Sequence, residues 1–180
     1  MSLILAVCLM LGVMMPAAFA DETKTFIVAM TEDPKSFNPD AQADDSGWPV
    51  FQNLYDGLFQ LNWNNEIVPD LCETYTISDD GLTYTFNLVQ GVKFANGEDV
   101  EPEDWVWSLY RARDYELSNY RFIAEAIDTV EATDEQVIIH LSQPNAGFMA
   151  MLGCFNMVLG DKSYAESMTE EEYLKKPMGT

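Results

Sequence analysis

The chain has 180 residues, and 48% of them are hydrophobic, so it can bury a core and is not a disordered segment. It carries 30 acidic and 9 basic residues, a formal net charge of −21. This balance argues against a nucleic-acid partner, which needs a basic surface, and against an anionic membrane surface. We interpret the acidity as a solvated surface rather than an acidic recognition surface.

The first 20 residues have a different character from the rest. Residues 3–15 are almost continuously apolar, and Ala18-Phe19-Ala20 forms an A-x-A cleavage site, so we predict a secretory signal peptide at 1–20. No Lys or Arg precedes the apolar run, which is consistent with a true start upstream of Met1. Cys8 comes too early for a lipoprotein cleavage box. We therefore expect an exported, released protein that is periplasmic or associated with the cell envelope.

Alternation of polar and apolar residues and the placement of turn residues predict the elements that follow. Tyr84, Phe86 and Leu88, for example, share one face of a half-buried strand. The predicted elements in chain order are a buried strand at 24–30, a loop at 40–47, a helix at 48–55, a short strand at 59–61, a hairpin of 73–77 with 83–88, a helix at 103–113, a helix at 119–126, a hairpin of 127–132 with 136–141, and helices at 146–153 and 170–176.

The helix at 103–113 is the best-signalled element of the chain. Pro102 suits the first helical position, acidic residues fill the first turn, and two arginines lie near the end, where they complement the helix dipole. Glu101 is a weak N-cap residue. Trp105 and Trp107 are two residues apart and cannot both face the core, so we expect one of them at a seam between subdomains.

The sequence offers little catalytic chemistry. His140 is the one histidine, and it alternates with apolar neighbours, which indicates a strand-face residue rather than a general base. The glycines form neither a phosphate-binding loop nor a dinucleotide fingerprint. We therefore expect no enzyme activity and no cofactor.

Metal binding is equally unsupported. Cys72 and Cys154 lack the spacing of zinc ligands; export permits a disulfide between them, and two unpaired buried thiols are the alternative. Asp40, Asp44 and Asp45 lack the order of an EF-hand, so we interpret them as part of a solvated loop.

Residues 79–109 carry a recognisable pattern, DDGLTYTFNLVQGVKFANGEDVEPEDWVWSL. G-V-K-F-x-N-G-E at 91–98, followed by D-x-V-x-S-L at 104–109, resembles the signature segment of the family 5 extracellular solute-binding proteins. These are the oligopeptide, dipeptide and nickel receptors of ABC importers. S-F-N-P at 36–39 and N-L-Y-D-G-L at 53–58 resemble further family elements, and P-M-G-T at 177–180 resembles the start of the family's P-[VI]-G-T-G-P-[YF].

The resemblance implies an α/β fold, a periplasmic-binding-protein-like (class II) lobe with an inserted α+β subdomain, present as an amino-terminal fragment. After the signal peptide, we expect the first strand and loop of lobe I at 21–46. The inserted subdomain is expected at 47–158, and the return into lobe I at 159–180.

The function implied by the resemblance is that of a substrate-binding protein of an ABC importer. It would capture peptides between two lobes and deliver them to a permease in the cytoplasmic membrane, and we expect it to be a monomer. A nickel, haem or sugar ligand within the same family is the alternative. A secreted hydrolase and a structural or adhesive surface module are more distant ones.

The resemblance also nominates ligand-binding residues. The loop that follows 38–39 lies at the mouth between the lobes in the family, which maps to Asp44, Asp45 and Ser46. The region after the signature helix approaches the cleft, which nominates Tyr120.

Overall fold

The computed structural model describes residues 25, 27–30, 32–41, 46–176 and 178–180. The predicted signal peptide and Cys8 lie outside the described residues. The strand predicted at 24–30 is wrong for residues 27–30, which are not in a strand, and Ile27 and Val28 are 86% and 63% exposed. Burial of a strand requires a hydrogen-bonded neighbour, and no strand among the described residues pairs with this segment.

The described strands form two antiparallel sheets. The smaller one pairs β1 (Phe59–Leu61) with β2 (Ile67–Pro69). The larger sheet has the order β3-β4-β6-β5 and consists of β3 (Cys72–Ile77), β4 (Thr83–Leu88), β5 (Ile127–Ala132) and β6 (Gln136–Leu141). Both predicted hairpins are confirmed.

Five α-helices and two 3₁₀ turns complete the described part of the chain. The helices are α1 (Trp48–Phe51), α2 (Pro102–Asp114), α3 (Phe148–Met151), α4 (Lys162–Glu166) and α5 (Glu170–Tyr173). The 3₁₀ turns are Pro39–Ala41 and Arg121–Ile123.

Side-chain alternation on the two central strands builds the core. In β4 and β6 every second residue is buried, and the register sets Phe86 opposite Val137 and Tyr84 opposite Ile139. Because these strands pair in register, their apolar sets lie on the same face of the sheet.

Helix α2 lies against this sheet and confirms the predicted helix at 103–113. Its buried Trp105, Leu109 and Ala112 are spaced at i, i+4 and i+7, so they form one apolar stripe. The weak cap at Glu101 is supported by Asp104, whose Oδ2 accepts a hydrogen bond from the Glu101 N–H at 2.9 Å.

The polar side of α2 holds the chain as it returns toward its end. Ser108 Oγ accepts a hydrogen bond from the Gly160 N–H at 2.9 Å and donates one to the Gly160 carbonyl at 3.3 Å. Trp107 packs edge-on against Tyr173 with ring centroids 6.3 Å apart, whereas Trp105 is in the core. The two tryptophans therefore face different neighbours, as their spacing predicts.

Four predicted helices are shorter in the structure. The helix predicted at 119–126 is wrong, because only the 3₁₀ turn Arg121–Ile123 forms before β5 begins. The stretches at 48–55, 146–153 and 170–176 each contribute four helical residues. Stretches this short gain few hydrogen bonds for the cost of helix nucleation, so tertiary contacts decide their conformation.

The last residues pack tightly against the segment after α1 and against the loop that follows β4. The Ala95 N–H donates to the Gly179 carbonyl at 2.9 Å, and the Asp56 N–H donates to Thr180 Oγ1 at 3.1 Å. A Cβ atom at Gly179 would overlap the Leu54 carbonyl. The close approach of two backbones therefore requires glycine at this position.

Candidate functional site

The segment entering α1 contains the first predicted site residue that the structure describes. Ser46 is 9% exposed, and Trp48, two residues later, is 39% exposed. The Trp48 ring lies 5.6 Å from the Phe155 ring. Asp44 and Asp45 lie outside the described residues and stay predictions.

Tyr120, the other predicted site residue, contacts the same phenylalanine. Its ring is edge-on to Phe155 with centroids 4.8 Å apart, and it lies 6.3 Å from the ring of Phe122, which is 56% exposed. The start of α1 and the stretch after α2 therefore meet at Phe155. We call Trp48, Phe155, Tyr120 and Phe122 the aromatic row.

Sequence reasoning missed Phe155. It lies in an irregular stretch between α3 and α4, where no periodicity marks it as exposed or buried. Its ring also stacks on the buried Phe51 at 6.3 Å with an interplanar angle of 22°, so one side of the row is anchored to the interior. The only sequence signal for Phe155 was an aromatic residue two positions after Gly153.

Partly buried hydrogen bonds hold the backbone of Tyr120. Asn156 is 1% exposed, and its Nδ2 donates to the Tyr120 carbonyl at 3.5 Å. The Tyr120 N–H donates to Ser118 Oγ at 3.1 Å. Because both backbone groups are held, the direction of the Tyr120 ring is constrained before any ligand arrives.

An open cavity of about 710 Å³ adjoins the row, between α1, the β1–β2 hairpin and residues 153–158. This volume is in the range of small-molecule sites. Amide and carboxyl side chains in its wall offer both donors and acceptors. The polar members are Gln52, Asn53, Asp56, Gln60, Asn62, Asn65 and Asp70, and the aromatic members are Trp48, Phe51, Tyr55, Phe59, Trp63 and Phe155.

One carboxyl group in this wall is held by the backbone. Asp70 Oδ2 accepts a hydrogen bond from the Gly57 N–H at 3.2 Å. Burial nevertheless raises the pKa of Asp70 above its ordinary value.

His140 lies on β6, as its alternation predicts. Its Nδ1 is 3.1 Å from Thr83 Oγ1, and its Nε2 is 4.0 Å from Glu131 Oε1. These are cross-strand neighbours in the β4-β6-β5 register, and none of the three lines the cavity. The geometry is that of packed strands rather than of an acyl-transfer centre.

Both cysteines in the described residues are free thiols, which answers the question that the sequence left open. Cys72 is 2% exposed and donates to the Thr74 carbonyl at 3.3 Å. Cys154 lines the cavity, and burial raises the pKa of its thiol. Within the described ranges, no group of three or more His, Cys, Asp or Glu side chains is placed to hold a metal ion.

The expectation of a solvated loop is wrong for Asp40. This residue is 6% exposed, and its Oδ2 accepts a hydrogen bond from Arg111 Nε at 2.9 Å. Burial raises the pKa of Asp40 to about 6, although the Arg111 guanidinium opposes the shift. Asp40 is buried because Arg111 on α2 pairs with it. Sequence spacing did not predict this pairing.

Comparison with known proteins defines the class. The family described as bacterial extracellular solute-binding proteins, family 5 Middle, matches residues 66–180. The dipeptide-binding protein of Escherichia coli (strain K12) is 28% identical over 196 residues, covering 93% of this chain and 36% of that protein. The glutathione-binding protein GsiB of Salmonella paratyphi A is 35% identical over 139 residues, covering 76% and 27%.

A solved structure agrees with these relatives. The ABC transporter-associated periplasmic binding protein DppA from Helicobacter pylori, in complex with peptide STSA, superposes with a TM-score of 0.71 and 30% identity over 82% of this chain and 34% of that chain. The fold is thus the mixed α/β fold of periplasmic binding proteins, which confirms the predicted fold class. This chain belongs to family 5 of the bacterial extracellular solute-binding proteins, a family of binding proteins rather than enzymes.

The match is partial in one respect. The chain spans about a third of the length of the curated relatives it matches. No helix in the described part of the chain is both long and apolar enough to cross a membrane.

Proposed function

We propose that this chain belongs to the substrate-binding component of an ABC importer that captures peptides. The observation that carries the proposal is the aromatic row, because it brings Tyr120, which the family resemblance nominated, together with Trp48, two residues after the nominated Ser46. The rings of Trp48, at the start of α1, and Tyr120, after α2, both contact Phe155, which lies between them. Half-exposed rings offer a ligand large contact areas at low cost in conformational entropy.

Peptide chemistry fits the surroundings of the row. A peptide presents backbone amides that need hydrogen-bond partners and side chains of varied size that need roomy pockets. The adjoining cavity of about 710 Å³ supplies amide side chains for the first need and space for the second. Trp48 and Phe155 line this cavity, whereas Ser46 and Tyr120 lie outside its wall. We propose Tyr120 as a ligand contact because its ring packs on Phe155, and Ser46 because it precedes Trp48 by two residues, with Asp44 and Asp45 as predicted neighbours.

The mechanism we propose is capture by lobe closure. A peptide that makes contacts with both lobes binds the closed state more tightly and so shifts the equilibrium toward it. The closed protein then docks on a membrane permease. We further propose that the protein is exported, works in the periplasm or at the cell envelope, and acts as a monomer.

The predicted division of the chain is part of the proposal. The Phe37 N–H donates to the Leu174 carbonyl at 3.0 Å, so the segment before residue 42 contacts the segment after residue 158. This contact supports a lobe I formed by 21–46 and 159–180, with residues 47–158 inserted between them.

The test uses the whole protein purified from cells. Native mass spectrometry should detect a co-purifying peptide, and a set of di- to pentapeptides should include members that raise the melting temperature. At a peptide concentration of 100 times Kd, the expected stabilisation is about 2.7 kcal/mol. Recovery of the peptide intact separates binding from hydrolysis, and a nickel chelate, haem and an oligosaccharide are tested in parallel.

The variant Tyr120→Ala should weaken binding of the best peptide by about tenfold, since it removes a central aromatic contact. Tyr164→Ala on α4 is the matched control and should bind as the wild type does. Absence of a co-purifying peptide together with no thermal shift from any peptide would overturn the proposal.

A further inference from the structure

We propose that Arg111 is a positioning residue. It holds residues 37–41 and the backbone of Tyr120 in one arrangement, and we call these parts the frame of the aromatic row. It thereby sets ligand affinity without touching the ligand. The proposal rests on the proposed function, because it concerns the site formed by Ser46 and Tyr120.

Arg111 links three separate parts of the chain. It projects from α2, its Nε donates to Asp40 Oδ2 at 2.9 Å, and its Nη2 donates to Glu170 Oε1 at 2.8 Å. Asp40 belongs to the 3₁₀ turn Pro39–Ala41, and Glu170 begins α5. A forked guanidinium can serve two carboxylates at once in fixed geometry, which a lysine ammonium does not do.

Aromatic rings enclose the same guanidinium. Its central carbon lies 5.4 Å from the Trp107 ring centroid, 4.5 Å from that of Tyr115 and 5.2 Å from that of Tyr173. The Arg111 side chain is only 16% exposed. Stacked and paired in this way, it has little freedom to move, so the groups it binds are held in one arrangement.

The first path from Arg111 to the site runs through Asp40. Asn38 Oδ1 accepts from the Asp40 N–H at 3.0 Å, and the Phe37 carbonyl accepts from Tyr55 Oη at 2.9 Å. The Tyr55 ring lies 6.3 Å from Phe51, which in turn stacks on the phenylalanine at the centre of the aromatic row. The segment at residues 37–41, which Arg111 holds, is therefore linked to the row through Tyr55 and Phe51.

The second path runs through Asn156. Asp40, Tyr55, Arg111 and Asn156 line one small cavity of about 10 Å³, so they are neighbours in the interior. Asn156 is the residue whose Nδ2 donates to the Tyr120 carbonyl. Displacing the guanidinium loosens the packing around Asn156, and with it the support of Tyr120.

A buried ion pair adds little to net stability when compared with apolar packing, yet it specifies one arrangement. The Arg111 ion pairs are therefore expected to order the site before the ligand binds. A site ordered before binding loses less entropy when the ligand arrives, so its affinity is higher for the same contacts.

The test compares Arg111→Lys with Arg113→Lys in the whole protein. Arg113 lies on the same helix, and its guanidinium also serves several acceptors. It pairs with the adjacent Asp114, with Nε to Oδ1 at 2.7 Å, and its Nη1 donates to the Ile127 and Asp128 carbonyls at the start of β5. It is therefore a matched control for the loss of an arginine fork on α2 away from Asp40. Hydrogen exchange without ligand reads the frame directly. We expect Arg111→Lys to speed exchange of the amides of Phe37, Asn38, Asp40 and Tyr120, which are hydrogen-bonded in the structure, about tenfold, and to leave the amides of β4 unchanged.

Binding is measured with the tightest peptide of the di- to pentapeptide set. Arg111→Lys should raise Kd about tenfold, a change of about 1.4 kcal/mol, and Arg113→Lys should not. Arg111→Lys and Asp40→Asn should be non-additive in Kd, because they break one shared contact.

Each outcome bears on a distinct claim. If the amides of residues 37, 38, 40 and 120 exchange in Arg111→Lys as they do in the wild type, the positioning role is overturned. Faster exchange spread equally over β4 also overturns it, because it indicates general destabilisation. Faster local exchange with unchanged Kd also overturns it. If no peptide binds the wild type, the proposed function fails, and the exchange measurement alone then decides whether Arg111 holds the frame.

Discussion

Replacing Asp104 by Ala should destabilise the protein through two backbone groups that lie far apart in sequence. Asp104 is 6% exposed; its Oδ2 accepts from the Glu101 N–H at 2.9 Å, and its Oδ1 accepts from the Lys162 N–H at 2.9 Å. One carboxylate thus caps the start of α2 and fixes the start of α4. Alanine leaves both N–H groups without that acceptor.

The magnitude follows from these two losses. A buried donor left unsatisfied costs about 1–3 kcal/mol. Burial raises the pKa of Asp104, which shows that holding the carboxylate inside has its own cost, and removing it offsets part of the loss. We expect the free energy of unfolding to fall by about 2–4 kcal/mol.

The assay is urea unfolding of the whole protein at pH 7, joined to hydrogen exchange of the Glu101 and Lys162 amides. The matched control is Glu103→Ala, which removes the same charge from the same helical turn. Glu103 is 79% exposed and pairs with Lys162 Nζ at 3.1 Å on the surface, so its loss should cost no more than about 1 kcal/mol. Equal effects of the two substitutions would refute the reasoning, because the helix dipole alone would then explain both.

Two further predictions concern the chain end and the buried carboxyl group. Gly179→Ala should lower stability by about 2–4 kcal/mol, because its Cβ overlaps a backbone carbonyl, whereas Gly147→Ala, with its nearest atom at 3.4 Å, should stay within about 1 kcal/mol; urea midpoints that match would contradict this. Since the pKa of Asp40 is raised from 3.8 to about 6, the folded state binds more protons than the unfolded state between those values. The Asp40 contribution to stability therefore falls as pH rises through this window, by up to about 1.4 kcal/mol per pH unit, and Asp40→Asn should remove that slope. Parallel stability curves for wild type and Asp40→Asn between pH 4 and 6 would exclude it.

Much of the sheet and the main helix could be predicted from local pattern. The hairpins of β3 with β4 and of β5 with β6 form where alternation and turn residues placed them. Helix α2 begins at Pro102, as the proline and the acidic first turn indicated. These features depend on neighbours within a few residues, so a single sequence contains the information that decides them.

The predictions of the short helices and of the first strand were wrong because these segments depend on distant neighbours. Residues 119–126 have an apolar pattern compatible with a helix, but β5 takes up Ile127 and leaves only a 3₁₀ turn before it. Residues 27–30 have strand composition but no described strand to pair with. Partners elsewhere in the fold, rather than local preference, decide such segments.

The sequence by itself determined the sheet and the signature helix, because the spacing of turn, capping and apolar residues is local information, and its motifs resembled those of the family to which the chain belongs. Only the tertiary structure decided that Phe155 joins Trp48 to Tyr120, that Asp40 is buried against Arg111, and that both cysteines are free. The first two facts depend on contacts between residues more than 30 positions apart, and the third on the separation of Cys72 and Cys154 in the fold. Such contacts arise from packing in the folded state, and no periodicity in the sequence predicts them.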